Sequence, residues 1–224
     1  MSFKILLSVM AVLFVFLLMS GTAFAYVNTD IVPVNNLEDL MNISKTPENL
    51  SRNYILMSDI DIGSEETNDL KFAPIGTDAA PFKGRFNGNN HTISNITISN
   101  ESMNYVGLFG YTKNCSISYL SLENIDIAGG QYVGALVGFA FDTSIKNCSV
   151  SNSENFKICG SSFVDDLVGF MSSSLASDSY AAGTVEDQSD VSNLVGIISG
   201  SISDIMRPVM LRVTTLEQAV LSNL

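Results

Sequence analysis

The sequence contains no tryptophan, one histidine, three cysteines and five prolines, and only 11 lysines plus arginines against 23 aspartates plus glutamates. Each shortage excludes something. A formal charge of −12 repels phosphate backbones and anionic headgroups, so nucleic acid is not an expected partner. With His91 alone and no Cys-x-x-Cys, a zinc site has too few ligands. Nucleophile-elbow, phosphate-loop and zinc-protease motifs are missing as well. What is plentiful is glycine, with 16 residues, together with serine and threonine. Small and hydroxylated residues suit sheets and turns, and 224 residues suffice for one domain or an extended repeat array.

Residues 1–25 read as a separate object. Lys4 supplies a short positive region, Ile5 to Met19 is apolar almost throughout, and Ala23-Phe24-Ala25 offers a small-x-small cleavage site. The run is shorter than the roughly 20 residues a spanning helix needs, so a cleaved secretory signal is expected. Its removal leaves 10 basic and 23 acidic residues and no further long apolar run. No membrane span is therefore expected in the exported chain. Export would place Cys115, Cys148 and Cys159 in an oxidising environment. Cys148 and Cys159 could pair, but cysteine as a small apolar filler in a stacked core is the preferred reading.

Internal repetition organises the rest. Tyr105-Val106-Gly107-Leu108-Phe109-Gly110-Tyr111 returns as Tyr132-Val133-Gly134-Ala135-Leu136-Val137-Gly138-Phe139. It returns again as Phe163-Val164-Asp165-Asp166-Leu167-Val168-Gly169-Phe170, and more weakly as Val191-Ser192-Asn193-Leu194-Val195-Gly196-Ile197. A second block follows each: Ile117 to Leu122, Ile145 to Val150, and Leu175 to Tyr180. Two short alternating blocks per 27–31 residues, with no helical period, predict an all-β fold: a solenoid whose coils bury their apolar faces only by stacking. Alternation places Ile117 on Ile145, Leu120 on Cys148 and Leu122 on Val150 as inward rungs, with Ser121 and Ser149 outward. A β-sandwich is the runner-up. Upstream, Asn36 precedes Leu37, Leu40 and Met41 at helical spacing, which predicts a short helix that caps the solenoid edge. The expected division is a signal at 1–25, an N-terminal cap and first coils at 26–104, repeats at 105–204, and a C-terminal cap or truncated end at 205–224. In the last segment Thr214 and Glu217 stand at capping-box spacing.

Gly107-Leu108-Phe109-Gly110 and, less closely, Gly134-Ala135-Leu136-Val137-Gly138 resemble the core of the GLUG-motif proteins, exported repeat proteins of archaea and bacteria. Asp59-Ile60-Asp61-Ile62, Pro74-Ile75-Gly76 and the stretch Phe82 to Ile93 also look like the segments that precede such repeats. The resemblance covers about residues 35 to 200. It implies a right-handed parallel β-helix on a secreted or cell-surface protein of adhesin-like or surface-layer type, with occasional use as an accessory region of a surface peptidase. It implies no catalytic motif. Asp165-Asp166 and Ser192-Asn193 depart from the pattern where glycine is usual, and looser coil packing is expected there.

Candidate chemistry is sparse. Asp59 and Asp61 share one face of a strand, Lys83 and Arg85 share another beside Asn87 and Asn89, and a groove joining Asp59, Asp61 and Arg85 is the arrangement a polysaccharide lyase or hydrolase would need. His91 alone reads as a surface or turn residue. Asp165-Asp166, Glu186-Asp187 and Asp190 read as a solvated acidic face, with structural Ca²⁺ at coil corners as the weaker reading. Seven sequons, at Asn42, Asn49, Asn90, Asn95, Asn100, Asn114 and Asn147, are candidate glycosylation sites, or asparagines of turns and polar ladders. The function expected is a secreted or cell-surface structural and adhesion-type module whose partners are envelope proteins or surface glycans. No catalytic, cofactor or metal residue is assigned. An accessory or degenerate polysaccharide-active enzyme is the alternative.

Overall fold

A computed structural model of the chain describes residues 30–63, 72–153, 155–187 and 195–203. The signal segment, Asp190 and the segment from 205 on lie outside the described residues, as do the side chains of Glu186 and Asp187.

The chain is a parallel β-solenoid. β1 (Ile31–Val34), β2 (Asn53–Leu56), β4 (Arg85–Ser94), β7 (Ser116–Glu123), β11 (Ser144–Lys146), β15 (Val168–Ser177) and β18 (Val195–Ser203) stack in one continuous ladder. Its register runs Ile31, Asn53, Arg85, Ser116, Ser144, Leu175, Ser201, every step parallel. β3 (Ile60–Asp61), β6 (Phe109–Lys113), β10 (Val137–Phe141), β12 (Ser149–Ser151) and β16 (Tyr180–Ala182) complete the same sheet. A second ladder stacks β5 (Thr97–Ser99), β8 (Asp126–Ala128), β13 (Lys157–Gly160) and β17 (Thr184–Asp187), aligning Ile98, Ile127, Ile158 and Val185. A third pairs β9 (Gln131–Gly134) with β14 (Ser162–Asp165). Parallel pairing of equivalent positions is what a repeat period demands, and the sandwich alternative needs no such identity of offset.

The inward rungs are those the alternation predicts. Ile117 pairs with Ile145, and Leu122 with Val150, all but fully buried, while Ser149 Oγ donates to Ser121 Oγ on the outer side at 3.0 Å. Leu120 and Cys148 are both buried one residue before that pair. The third block is displaced from its sequence reading. Ala176, not Leu175, falls under Ile145, seven residues after its glycine as in the other two coils, and Leu175 is left exposed. Burial of one such isoleucine is worth about 1.5–3 kcal/mol, so each rung secures its neighbours.

The N-terminal helix α1 (Leu37–Asn42) forms as expected. Asn36 Oδ1 accepts the Asp39 N–H at 2.9 Å as N-cap, and Leu37 and Leu40 enter the core beside the end strand β1. Among the described residues no helix is long and apolar enough to cross a membrane.

Candidate functional site

In the coils that start at Tyr105, Tyr132 and Phe163, three corners are turned by a residue in the left-handed region. Asn114, Asp142 and Ser173 (φ 52°, 48°, 52°) occupy one corner, and Tyr119, Asn147 and Asp178 (54°, 52°, 50°) a second. Tyr105, Tyr132 and Phe163 (62°, 62°, 56°) occupy the third. Asparagine and aspartate tolerate this conformation, whereas an aromatic residue requires compensation. It comes from stacking: Tyr105 lies on Tyr132 (5.2 Å, 6°) and Tyr132 on Phe163 (4.9 Å, 4°). Tyr111, Phe139 and Phe170 form a second stack at 4.8 Å steps, meeting the first edge to face. Aromatic pairs in these geometries add about 0.5–1.5 kcal/mol each beyond area burial. The second glycine of each motif completes the corner: a Cβ on Gly138 would stand 2.6 Å from the Tyr132 carbonyl oxygen and 2.6 Å from the Val106 nitrogen. The aromatic and glycine positions therefore form one corner lock. The sequence displayed both columns, one immediately after the glycine and the other five or six residues before it, but ring faces are engaged in stacking.

The surface feature with chemistry to offer lies on the earlier coils. Alternation along Phe82-Lys83-Gly84-Arg85-Phe86 buries both phenylalanines completely and turns Lys83 and Arg85 outward together. The backbone at Gly84 is drawn against the preceding coil, where a Cβ would collide with the Arg52 carbonyl oxygen. The Lys83 N–H donates to the Leu50 carbonyl at 2.7 Å, and the Arg85 N–H to Asn53 Oδ1 at 3.2 Å. Asn53, Lys83, Gly84, Arg85, Asn114, Cys115 and Ser116 line a depression of about 240 Å³ that holds no acidic side chain. Neither ion pair among the described residues involves Lys83 or Arg85.

A family model described as the GLUG motif matches residues 129–155, a stretch that holds the Tyr132 corner, Gly134, Gly138 and the rung strand after them. Halomucin of Haloquadratum walsbyi is 34% identical over 127 residues, which are 54% of this chain and 1% of halomucin. Residues 129–155 carry a GLUG motif. Among solved structures, a Bacteroides ovatus protein provisionally named an immunoglobulin A1 protease superposes with a TM-score of 0.60 at 15% identity. The match covers 80% of this chain and 57% of that one, and it speaks for the fold alone.

In this chain the other candidates are distributed rather than convergent. Asp59 and Asp61 do flank buried Ile60 on one exposed face. Asp59 Oδ1 accepts the Thr92 N–H at 2.9 Å and lies 3.0 Å from His91 Nδ1. These two contacts, the backbone one first, hold its carboxyl below the usual range. Asp61 instead accepts the Asn95 side-chain amide at 2.7 Å. Arg85 stands at the opposite end of β4, so the groove joining it to Asp59 and Asp61 does not form. His91 is a paired residue within β4, not a lone turn residue. Among the described residues no three His, Cys, Asp or Glu side chains gather as a metal site.

Asp165 and Asp166 correct the reading of a solvated acidic face, being 0% and 2% exposed. They occupy the positions of Gly134 and Ala135 in the preceding coil, which point inward. Asp166 Oδ1 has no hydrogen-bond partner, and burial pushes its carboxyl up to about 7. The cysteines are unbridged. Cys115 and Cys148 are core fillers in columns with Thr143 and Ser179, and burial raises their thiols to about 11 and about 12. Of the sequon asparagines, Asn90, Asn95, Asn114 and Asn147 have positive φ, so a corner conformation accounts for their residue type.

Proposed function

We propose that this chain is an exported, cell-surface β-solenoid module that serves structure and attachment rather than catalysis. The carrying observation is the division of labour between its faces. Motif residues are consumed in coil stacking, and the outer face presents serine, asparagine and the uncompensated Lys83–Arg85 depression to solvent. The signal-like residues 1–25 and the identity with halomucin support an extracellular setting. Envelope proteins and surface glycans are the partners this reading predicts. The test is a polysaccharide panel scored for both retention and release of reducing or unsaturated ends by residues 26–224. Retention without release supports the module, and release of chain ends overturns it.

One observation favours a second reading, an accessory polysaccharide-active role: the exposed Asp59–His91 pair places a carboxylate beside an imidazole in the manner of a general base and its orienting partner. Release abolished by Asp59→Asn would establish it.

A further inference from the structure

Four of the described cations line this depression or immediately precede a residue that lines it, in an otherwise acidic chain. Lys83 and Arg85 line the depression. Arg52 immediately precedes its lining residue Asn53, and Lys113 precedes Asn114; all four cations are exposed. Lys113 Nζ rests 5.4 Å from the Phe141 ring centroid, which directs that side chain along the coil stack. By contrast Lys146, two coils on, is neutralised by Asp178 at 3.8 Å. Among the described residues neither Lys83 nor Arg85 is in an ion pair, and such positive charge within a net charge of −12 is a local inversion of the field that selects anions.

Resting on the attachment reading above, we infer that the Lys83–Arg85 depression is a binding site for acidic polysaccharide, holding the carboxylate of a uronate-type sugar. The lining has the two chemistries such a sugar requires. Lys83 and Arg85 supply charge-assisted donors, Arg85 through a planar fork that matches a carboxylate. Asn53, Asn114 and Ser116 supply neutral polar groups that can hydrogen-bond ring hydroxyls. About 240 Å³ fits roughly one sugar unit, and the open ladder above and below lets a chain continue along the coils. An acidic polypeptide presents its carboxylates on flexible arms, whereas a uronate holds ring hydroxyls rigidly beside its carboxylate, so the glycan is the better occupant. The tight Gly84 approach makes the site pre-formed, since Lys83 and Arg85 are aimed by backbone packing.

The experiment measures binding of residues 26–224 to polygalacturonate, to a neutral galactan and to poly-glutamate, at about 50 and about 500 mM salt. Polygalacturonate is expected to bind best. Lys83→Gln with Arg85→Gln should weaken it about tenfold or more, and the higher salt should weaken it similarly. Lys83→Arg should retain binding, and Lys45→Gln, an exposed cation elsewhere, should leave it unchanged. Both cations are exposed, so an unchanged melting curve for the double variant establishes that folding is intact. Equal retention of galactan, insensitive to the double variant, overturns the anion site while leaving the attachment reading standing. Preference for poly-glutamate overturns the glycan assignment, and absence of binding to all three overturns the site.

Discussion

Asp166 provides the sharpest energetic test of the fold. It is 2% exposed, its Oδ1 lacks a partner, and Ala135 stands at the equivalent place one coil earlier. Burial raises the carboxyl from 3.8 to about 7, which is worth roughly 4 kcal/mol between the protonated and ionised folded states. The folded acid keeps its proton up to about 7, whereas the unfolded acid loses it near 3.8. This group's penalty is therefore absent at low pH, grows as pH rises through that window, and is complete by pH 8. Asp166→Ala removes the penalty and places in this coil the side chain its neighbour already carries. The variant should gain more stability at pH 8 than at pH 5, by about 2–3 kcal/mol, or roughly 5–10 °C in Tm. Comparing variant with wild type at each pH cancels the other carboxylates, and urea unfolding at both pH values gives the number. Asp166→Asn, which keeps the volume but not the titration, should flatten the same pH dependence. An equal gain at both pH values, or a larger one at pH 5, would show that water reaches the carboxylate and would refute the argument.

Two further outcomes follow from geometry. Gly84→Ala drives a Cβ into the Arg52 carbonyl oxygen and should cost more than about 2 kcal/mol while disrupting the Lys83–Arg85 depression; urea unfolding and polygalacturonate binding report both effects. Cys115 and Cys148, with thiols raised to about 11 and about 12, should resist iodoacetamide at pH 8 in the folded chain and label on unfolding, which mass mapping of the alkylated peptides would show.

The repeat period and the polarity of its strands were legible because a solenoid writes its stacking into the sequence. Ile117, Ile145, Leu122 and Val150 lie inward for the alternation that reveals them. The α1 cap was equally legible from Asn36 and the spacing of Leu37 and Leu40. Asp165 and Asp166 were misread because charge suggests solvent, whereas coil position decides burial; alignment with Gly134-Ala135 carries the correct signal. The third block was begun one residue early at Leu175, and only the seven-residue offset from Gly169 selects Ala176 as the residue under Ile145. The aromatic columns were visible as residue identities, but their left-handed backbone was not, because stacking rather than intrinsic preference stabilises it. The pairing of Lys83 with Arg85 was legible from alternation. Its isolation from Asp59 and Asp61 depended on β4 being one long strand with the two groups at opposite ends.

A solenoid is nearly one-dimensional, and each coil contacts chiefly its immediate neighbours. The basic depression belongs to the coils of β2, β4 and β7, and the buried aspartates to the later coil that packs against β9 and β15. Between them the aromatic corners and isoleucine rungs are continuous, and the two sites lie on different coils. Substitutions at such separation add rather than couple, within about 0.5 kcal/mol. Asp166→Ala should thus raise stability at pH 8 without changing anion affinity, and the Lys83, Arg85 double variant should lose affinity without changing the pH dependence of stability. A protein built this way can vary its outward residues coil by coil while its corner motif stays fixed. This explains why the first three repeats keep their aromatic columns and the glycines Gly110, Gly138 and Gly169 while their outward residues differ.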